Sequence, residues 1–182
     1  VRCLSAVLSG TYFASCGDDG RVIIYDTNST TAAKSPWVKN MHYPMLSVSI
    51  DPFYSSRREK VFVCGGLSGK LVSYNKGWFS SQETELHRGE GPIKSIQWNE
   101  NDPSLIAWSN DVGVKIYDYD KGHRIAYVER PKAARVIADK RPEVLRCHLQ
   151  WETNDTLIVG WGDTIKVVKV RFRAKEEMMK DP

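Results

Sequence analysis

The sequence predicts an all-β fold built from repeated blades of short antiparallel strands, and three observations carry that prediction. The first is a run of apolar strands between residues 92 and 117, each closed by turn residues. Ile93, Ser95 and Gln97 alternate with Lys94, Ile96 and Trp98; Leu105-Ile106-Ala107-Trp108 is continuously apolar, as in a strand covered on both faces; Val114-Lys115-Ile116-Tyr117 alternates again. A fourth strand is expected at Arg124-Ile125-Ala126-Tyr127-Val128. Four antiparallel strands in about 40 residues make one propeller blade. The second observation is recurrence. The tyrosine that ends the third strand falls at Tyr25, Tyr74 and Tyr117, with Val168 in a fourth copy. The position closing the first strand is read at Leu8, Ile50, Trp98 and Trp151. These spacings suit WD-type blades, whose period is about 40–45 residues before loop insertions. The third is a negative: no segment before residue 171 carries a helical period.

Each copy can be justified from its turns. Ser5-Ala6-Val7-Leu8 leads into Ser9-Gly10, Tyr12-Phe13-Ala14-Ser15-Cys16 follows, and Gly17-Asp18-Asp19-Gly20 returns the chain into Val22-Ile23-Ile24-Tyr25. Asp-Gly between apolar runs signals a hairpin, because glycine supplies the positive φ that the turn demands. An outer strand is expected around Trp37-Val38-Lys39. The second copy comprises Met45-Leu46-Ser47-Val48-Ser49-Ile50, Lys60-Val61-Phe62-Val63-Cys64 and Leu71-Val72-Ser73-Tyr74, with residues 55–59 inserted between its first two strands. The fourth copy occupies residues 145–151, 156–159 and 164–170. About four WD40-like β-propeller blades are therefore expected over residues 1–170, with 171–182 as a C-terminal extension or linker. Because WD propellers in one chain commonly close with seven blades, the set is expected to be part of a larger, seven-bladed propeller. A closed four-bladed ring is the alternative.

Composition narrows the chemistry. The chain has 182 residues, 41% of them hydrophobic and 26% charged, which is a globular composition. No apolar run approaches the roughly 20 residues a membrane helix requires. The N-terminus shows no signal-peptide pattern and, beginning at Val1, reads as a cut end. A formal net charge of +4 permits, without demanding, attraction to acidic protein or lipid surfaces. Cys3, Cys16, Cys64 and Cys147 stand singly, without a Cys-x-x-Cys pair, and read as reduced side chains packed in strands.

Catalytic signals are missing. His42, His87, His123 and His148 are scattered, and His148 reads as a core or channel histidine. Asp18, Asp19, Asp111 and Asp163 recur in turns, where carboxylates bond backbone amides. The glycine-rich turns join strand to strand, whereas a phosphate cradle needs a following helix. The chain is therefore expected not to be an enzyme and to need no cofactor or metal. Trp98, Trp108, Trp151 and Trp161 read as blade-to-blade packing, and Trp37 and Trp78 as the more exposed tryptophans. The basic connector over residues 131–142 carries Lys132, Arg135, Lys140 and Arg141, the candidate contacts for an acidic partner or lipid headgroups. It allows a short helical turn around residues 133–138. The basic groups Arg57-Arg58, Arg130-Lys132-Arg135, Lys140-Arg141 and Arg171-Arg173-Lys175 otherwise read as solvated loops, and their lack of interleaved aromatics disfavours single-stranded nucleic acid.

The runs Tyr12-Phe13-Ala14-Ser15-Cys16-Gly17-Asp18-Asp19-Gly20, Gly89-Glu90-Gly91-Pro92-Ile93, Leu105-Ile106-Ala107-Trp108-Ser109-Asn110 and Thr156-Leu157-Ile158-Val159-Gly160-Trp161-Gly162 resemble the N-terminal WD-repeat region of the vacuolar protein sorting-associated protein 41 family. The resemblance is specific because the blades share departures from a standard repeat, with Tyr-Asp or Tyr-Asn standing where Trp-Asp is usual. It implies a non-enzymatic interaction propeller of a HOPS-type tethering subunit, acting in vesicle-mediated transport and endosome–vacuole or endosome–lysosome fusion. The implied partners are other tethering subunits, small GTPases of the Rab and Arl families and an adaptor complex. The implied location is the cytosolic face of late endosomal, lysosomal or vacuolar membranes, as a peripheral protein. The acidic start, earlier blade material, α-solenoid and RING of that family do not occur in these residues, so assembly through those regions is not implied for them. The repeats alone leave a second reading, a structural propeller of a coat or pore scaffold.

An open set of blades exposes the packing faces of its terminal blades. Expressed by itself, the chain is expected to bind a hydrophobic dye or to aggregate. A monodisperse, cooperatively unfolding monomer would count against an incomplete ring.

Overall fold

The computed structural model describes residues 1–28, 35–77, 81–131 and 146–171. Their strands form four antiparallel sheets, each a meander in chain order. Blade 1 contains β1 (Cys3–Ala6), β2 (Tyr12–Cys16), β3 (Arg21–Asp26) and β4 (Trp37–Asn40). Blade 2 contains β5 (Met45–Ile50), β6 (Lys60–Gly66), β7 (Lys70–Lys76) and β8 (Ser81–Arg88). Blade 3 contains β9 (Ser95–Trp98), β10 (Leu105–Ser109), β11 (Gly113–Asp118) and β12 (His123–Glu129). Blade 4 shows β13 (Cys147–Trp151), β14 (Thr156–Trp161) and β15 (Thr164–Lys169). The predicted propeller blades are thus present.

The strand that pattern reading missed is β8. Its sequence, Ser-Gln-Glu-Thr-Glu-Leu-His-Arg, is almost wholly polar and exposed, so no hydrophobic alternation announces it. It is specified instead by a ladder running from Lys70↔Arg88 to Lys76↔Ser81 along β7. The expected outer strand at Trp37 is β4. Trp37 itself is not freely exposed: it is half-buried, with ring centroids 5.7 Å from Phe62 and 5.4 Å from Tyr74. Trp78 lies outside the described residues.

Leu8 is not the counterpart of Ile50. It lies beyond β1 and is 73% exposed. Four equivalent hydrogen bonds set the alignment: Val7, Asp51, Asn99 and Glu152 donate their amides to Tyr12, Val61, Leu105 and Thr156 respectively. Ala6 is therefore the residue equivalent to Ile50, Trp98 and Trp151. Turn lengths differ between copies, so sequence spacing misplaced the position by two residues.

Period-two alternation gives each middle strand two apolar faces, one for each neighbouring blade. In β10, Leu105 and Ala107 face blade 4 while Ile106 and Trp108 face blade 2, and all are buried. Three apolar cores result. Ala14, Val22 and Ile24 meet Val48, Ile50 and Phe62 at the first joint. Val63 and Leu71 meet Ile96, Trp98 and Trp108 at the second. Leu105 and Ile116 meet Trp151, Leu157 and Trp161 at the third. No core joins blade 4 to blade 1 among the described residues. The arc is open there, and each end presents apolar side chains to solvent: Leu4 and Val38 on blade 1, Ile165 and Val167 on blade 4.

A second device couples the blades at the channel. Each innermost strand is laddered to its own blade along one edge only, so its other amides need partners from next door. The Ser5 hydroxyl accepts from the Ile50 amide at 3.1 Å, Ser47 from Ile96 at 2.9 Å, and Ser49 from Trp98 at 3.0 Å. The two-residue spacing of Ser47 and Ser49 matches the two-residue spacing of same-side amides on β9. The third joint uses different groups. The Trp151 indole N–H donates to the Gln97 carbonyl at 3.1 Å, and Asn99 Nδ2 to the Thr153 and Asn154 carbonyls.

Ser49→Ala should strand the buried Trp98 amide and destabilise the protein by about 1–3 kcal/mol, the cost of an unmade buried hydrogen bond. Urea unfolding measures it; a change within error would show that the Ser49 bond contributes nothing at this joint.

Candidate functional site

Lys132, Arg135, Lys140 and Arg141, and with them the expected helical turn, lie in residues 132–145, outside the described residues. Of the expected extension over 171–182, residues 172–182 lie outside them too. What is described is the point where the connector leaves blade 3. Arg130 is not a solvated charge there but is buried: its Nη1 donates to the Asp111 carbonyl at 3.2 Å and its guanidinium lies 5.3 Å from the Trp161 ring centroid. The connector thus departs from a fixed point on the third joint.

The inner strands surround a cavity of about 410 Å³. Arg2, Lys94, Arg146 and His148 line it together with Glu100 and Cys3. His148 is exposed on this wall, so of its two expected settings the channel is the one observed. Arg2 and Lys94 are engaged with turn carboxylates, Arg2 with Asp18 at 2.8 Å and Lys94 with Asp111 at 2.5 Å. This revises the role read for those aspartates. Asp19 does bond a turn amide, accepting from Arg21 at 3.1 Å, but Asp18 and Asp111 pair with cations, and Asn110 serves the amides of Val112 and Gly113.

Next to that turn, the buried Lys115 ammonium is paired with Glu90, whose carboxylate also accepts from Asn110 Nδ2 at 2.9 Å. The hydrogen bond from Lys115 holds the Glu90 carboxyl below its ordinary range. Glu90 sits at φ 61, the left-handed region, to reach both partners. This is a blade-joint network with every charge answered, not an acid–base pair awaiting substrate.

Cys3 occupies the blade 1 position equivalent to Ser47, and its thiol contacts the Val48 carbonyl at 3.5 Å and Ser47 Oγ at 3.8 Å. Cys16 lies directly across the ladder. The hydrogen bond from the Cys16 thiol, opposed by burial and aided by the Val48 and Ser47 contacts, lowers the Cys3 thiol to about 6. The same bond raises Cys16, and burial pushes Cys64 and Cys147 up to about 12. All four are free thiols.

A larger cavity, about 620 Å³, opens between blades 1 and 2 beside the inserted residues 55–59. Tyr12, Trp37 and Tyr54 line it with Arg57, Arg58, Lys60 and Lys76. Sequence reading flagged the insertion and the Arg57-Arg58 pair, but gave no sign that Trp37 and Lys76 join them. They are brought there by the β3–β4 and β6–β7 ladders, across a blade joint. Among the described residues no cluster of three or more His, Cys, Asp or Glu side chains suits a metal ion.

Four meander sheets packed face to face through apolar joints define the β-propeller class. The chain belongs to the vacuolar protein sorting-associated protein 41 propeller family: the family model described as the Vps42 beta-propeller matches residues 1–182. It is 41% identical over 162 residues to the vacuolar protein sorting-associated protein 41 homolog of Arabidopsis thaliana, covering 89% of this chain and 15% of that protein. The homologs of Danio rerio and Homo sapiens are 37% and 33% identical over 171 residues, covering 93% of this chain and 18% of each of those proteins. The chain thus spans less than a fifth of the length of these relatives. The family is a non-enzymatic one concerned with vacuolar protein sorting. No helix among the described residues is long and apolar enough to cross a membrane.

Alkylation by iodoacetamide checks the thiol assignment. Cys3 should reach its plateau rate near neutral pH, since its thiolate forms well below the ordinary thiol range, while Cys64 and Cys147 stay protected until unfolding. Equal rates at all four cysteines, read by peptide mass, would refute it.

Proposed function

We propose that these blades are the docking propeller of a HOPS-type tethering subunit, serving vesicle-mediated transport and the fusion of endosomes with vacuoles or lysosomes. The observation that supports this reading most is the family match along all of residues 1–182, which includes the irregular turns as well as the strands. The relatives named for vacuolar protein sorting extend the same way over nine-tenths of the chain. A rigid set of blades with variable loops suits a subunit that must hold several proteins at once. The partners proposed are the other tethering subunits, a Rab- or Arl-family GTPase and an adaptor complex. The proposed place of action is the cytosolic face of late endosomal, lysosomal or vacuolar membranes, with peripheral contact.

Within this reading the basic connector is the first contact, its Lys132, Arg135, Lys140 and Arg141 pairing with acidic partners or headgroups. It follows directly on Arg130, which is anchored to the Asp111 carbonyl and the Trp161 ring. Replacing the four by Glu in the full-length protein should lower recruitment to lysosomes about tenfold and remove its salt dependence. Unchanged recruitment with intact folding would reduce the connector to a solvated loop. Normal endosome–lysosome fusion after deletion of the whole propeller would overturn the tethering reading itself.

A further inference from the structure

The cavity between blades 1 and 2 is the largest of the described cavities, and neither the joint nor the connector accounts for its lining. Its walls are aromatic and fixed. Tyr54 is buried, its ring edge-on to Tyr12 at 5.1 Å, and Trp37 is wedged against Phe62 and Tyr74. Its cations divide into two sets. Arg57 is committed to the buried Asp51 carboxylate at 2.9 Å, and the Lys60 ammonium to the backbone carbonyls of Tyr54 and Ser55. These bonds hold the inserted residues in shape. Arg58 and Lys76 form no ion pair among the described residues, and Lys76 lies 5.4 Å over the Trp37 ring. One carboxylate, Asp26, lines the same cavity.

We infer that this groove binds a short acidic peptide segment of a partner protein, with an apolar or aromatic side chain seated among Tyr12, Trp37 and Tyr54 and flanking carboxylates on Arg58 and Lys76. The inference does not rest on the tethering role. Charge complementarity selects the occupant: two cations without a carboxylate partner among the described residues line an aromatic recess of about 620 Å³, within the range of ligand sites. An apolar side chain gains from leaving water in that recess, and carboxylates gain from the cations only when it is held there. A membrane is a poorer match, because insertion needs protruding aromatics and these are recessed. A nucleic-acid strand is a poorer match as well. It needs a track of cations for successive phosphates, and the Asp26 carboxylate lines the same recess.

The test uses fluorescence polarisation on the full chain, with labelled short peptides carrying increasing numbers of Asp and Glu around a central Leu, Trp or Ser. Affinity should rise with carboxylate number for the Leu and Trp series, stay weak for Ser, and fall with added salt. Arg58→Glu with Lys76→Glu should weaken the best peptide by about tenfold or more. Both are surface residues, so the thermal midpoint should not move, whereas Trp37→Ser removes the recess and is read against its own unfolding curve. The proposal is overturned if no peptide of the Leu or Trp series binds, or if the double charge reversal binds as well as the parent. It is overturned equally if the reversal abolishes binding to phosphatidylserine vesicles or to oligothymidine while leaving peptide binding unchanged.

Discussion

The structure depends on how the open edge of each innermost strand is closed. An inner strand donates and accepts along one side only, and on its other side the amides meet the neighbouring blade rather than a ladder. Ser5, Ser47 and Ser49 accept those amides in the first two joints. A net hydrogen bond is worth only about 0.5–1.5 kcal/mol, but a buried amide left alone costs more than that, so the hydroxyls constrain which blades can sit side by side. Once the inner strands are locked, the middle strands are forced into register, and their alternating apolar faces fill the three joints. The cavities and turn networks follow from that spacing.

The central strands were legible because burial on both faces writes itself into sequence as unbroken apolar runs, as in Leu105-Ile106-Ala107-Trp108. The four buried tryptophans, Trp98, Trp108, Trp151 and Trp161, were legible for the same reason. Periphery was not. The strand β8 has no apolar stripe, because its outer position asks for ladder bonds and not for burial. Leu8 misled because an apolar residue just past a strand looks like one within it, and only the hydrogen-bond alignment separates them. Arg130 misled in the opposite sense. A cation beside a basic connector reads as solvated, yet its guanidinium is flat enough to lie on Trp161 and to donate to a carbonyl beneath.

The interaction surfaces divide along the same line. Residues close in sequence, such as Arg57 and Arg58, show as a basic pair. A groove that also needs Tyr12, Trp37 and Lys76 is a property of the joint between two sheets, and joints are invisible until the blades are stacked. Family membership identifies the architecture over the whole chain, while the chemistry of each joint remains particular to these residues. The third joint shows how far that particularity goes, since an indole and an asparagine amide replace the serines there.

Among the described residues every sheet pairs strands that are consecutive in the chain, and every core joins consecutive blades. Such an arrangement can be built in the order in which it is synthesised. Each hairpin closes over a short loop, at little entropic cost, before the next emerges from the ribosome. A nascent blade 1 would offer Val48 and Ile50 a finished surface to settle on, and blade 2 would do the same for Ile96 and Trp98. Between those moments the leading face is sticky and unguarded. The protein's exposure to chaperones is therefore concentrated at one moving front, whose passage is as long as the translation of a single blade.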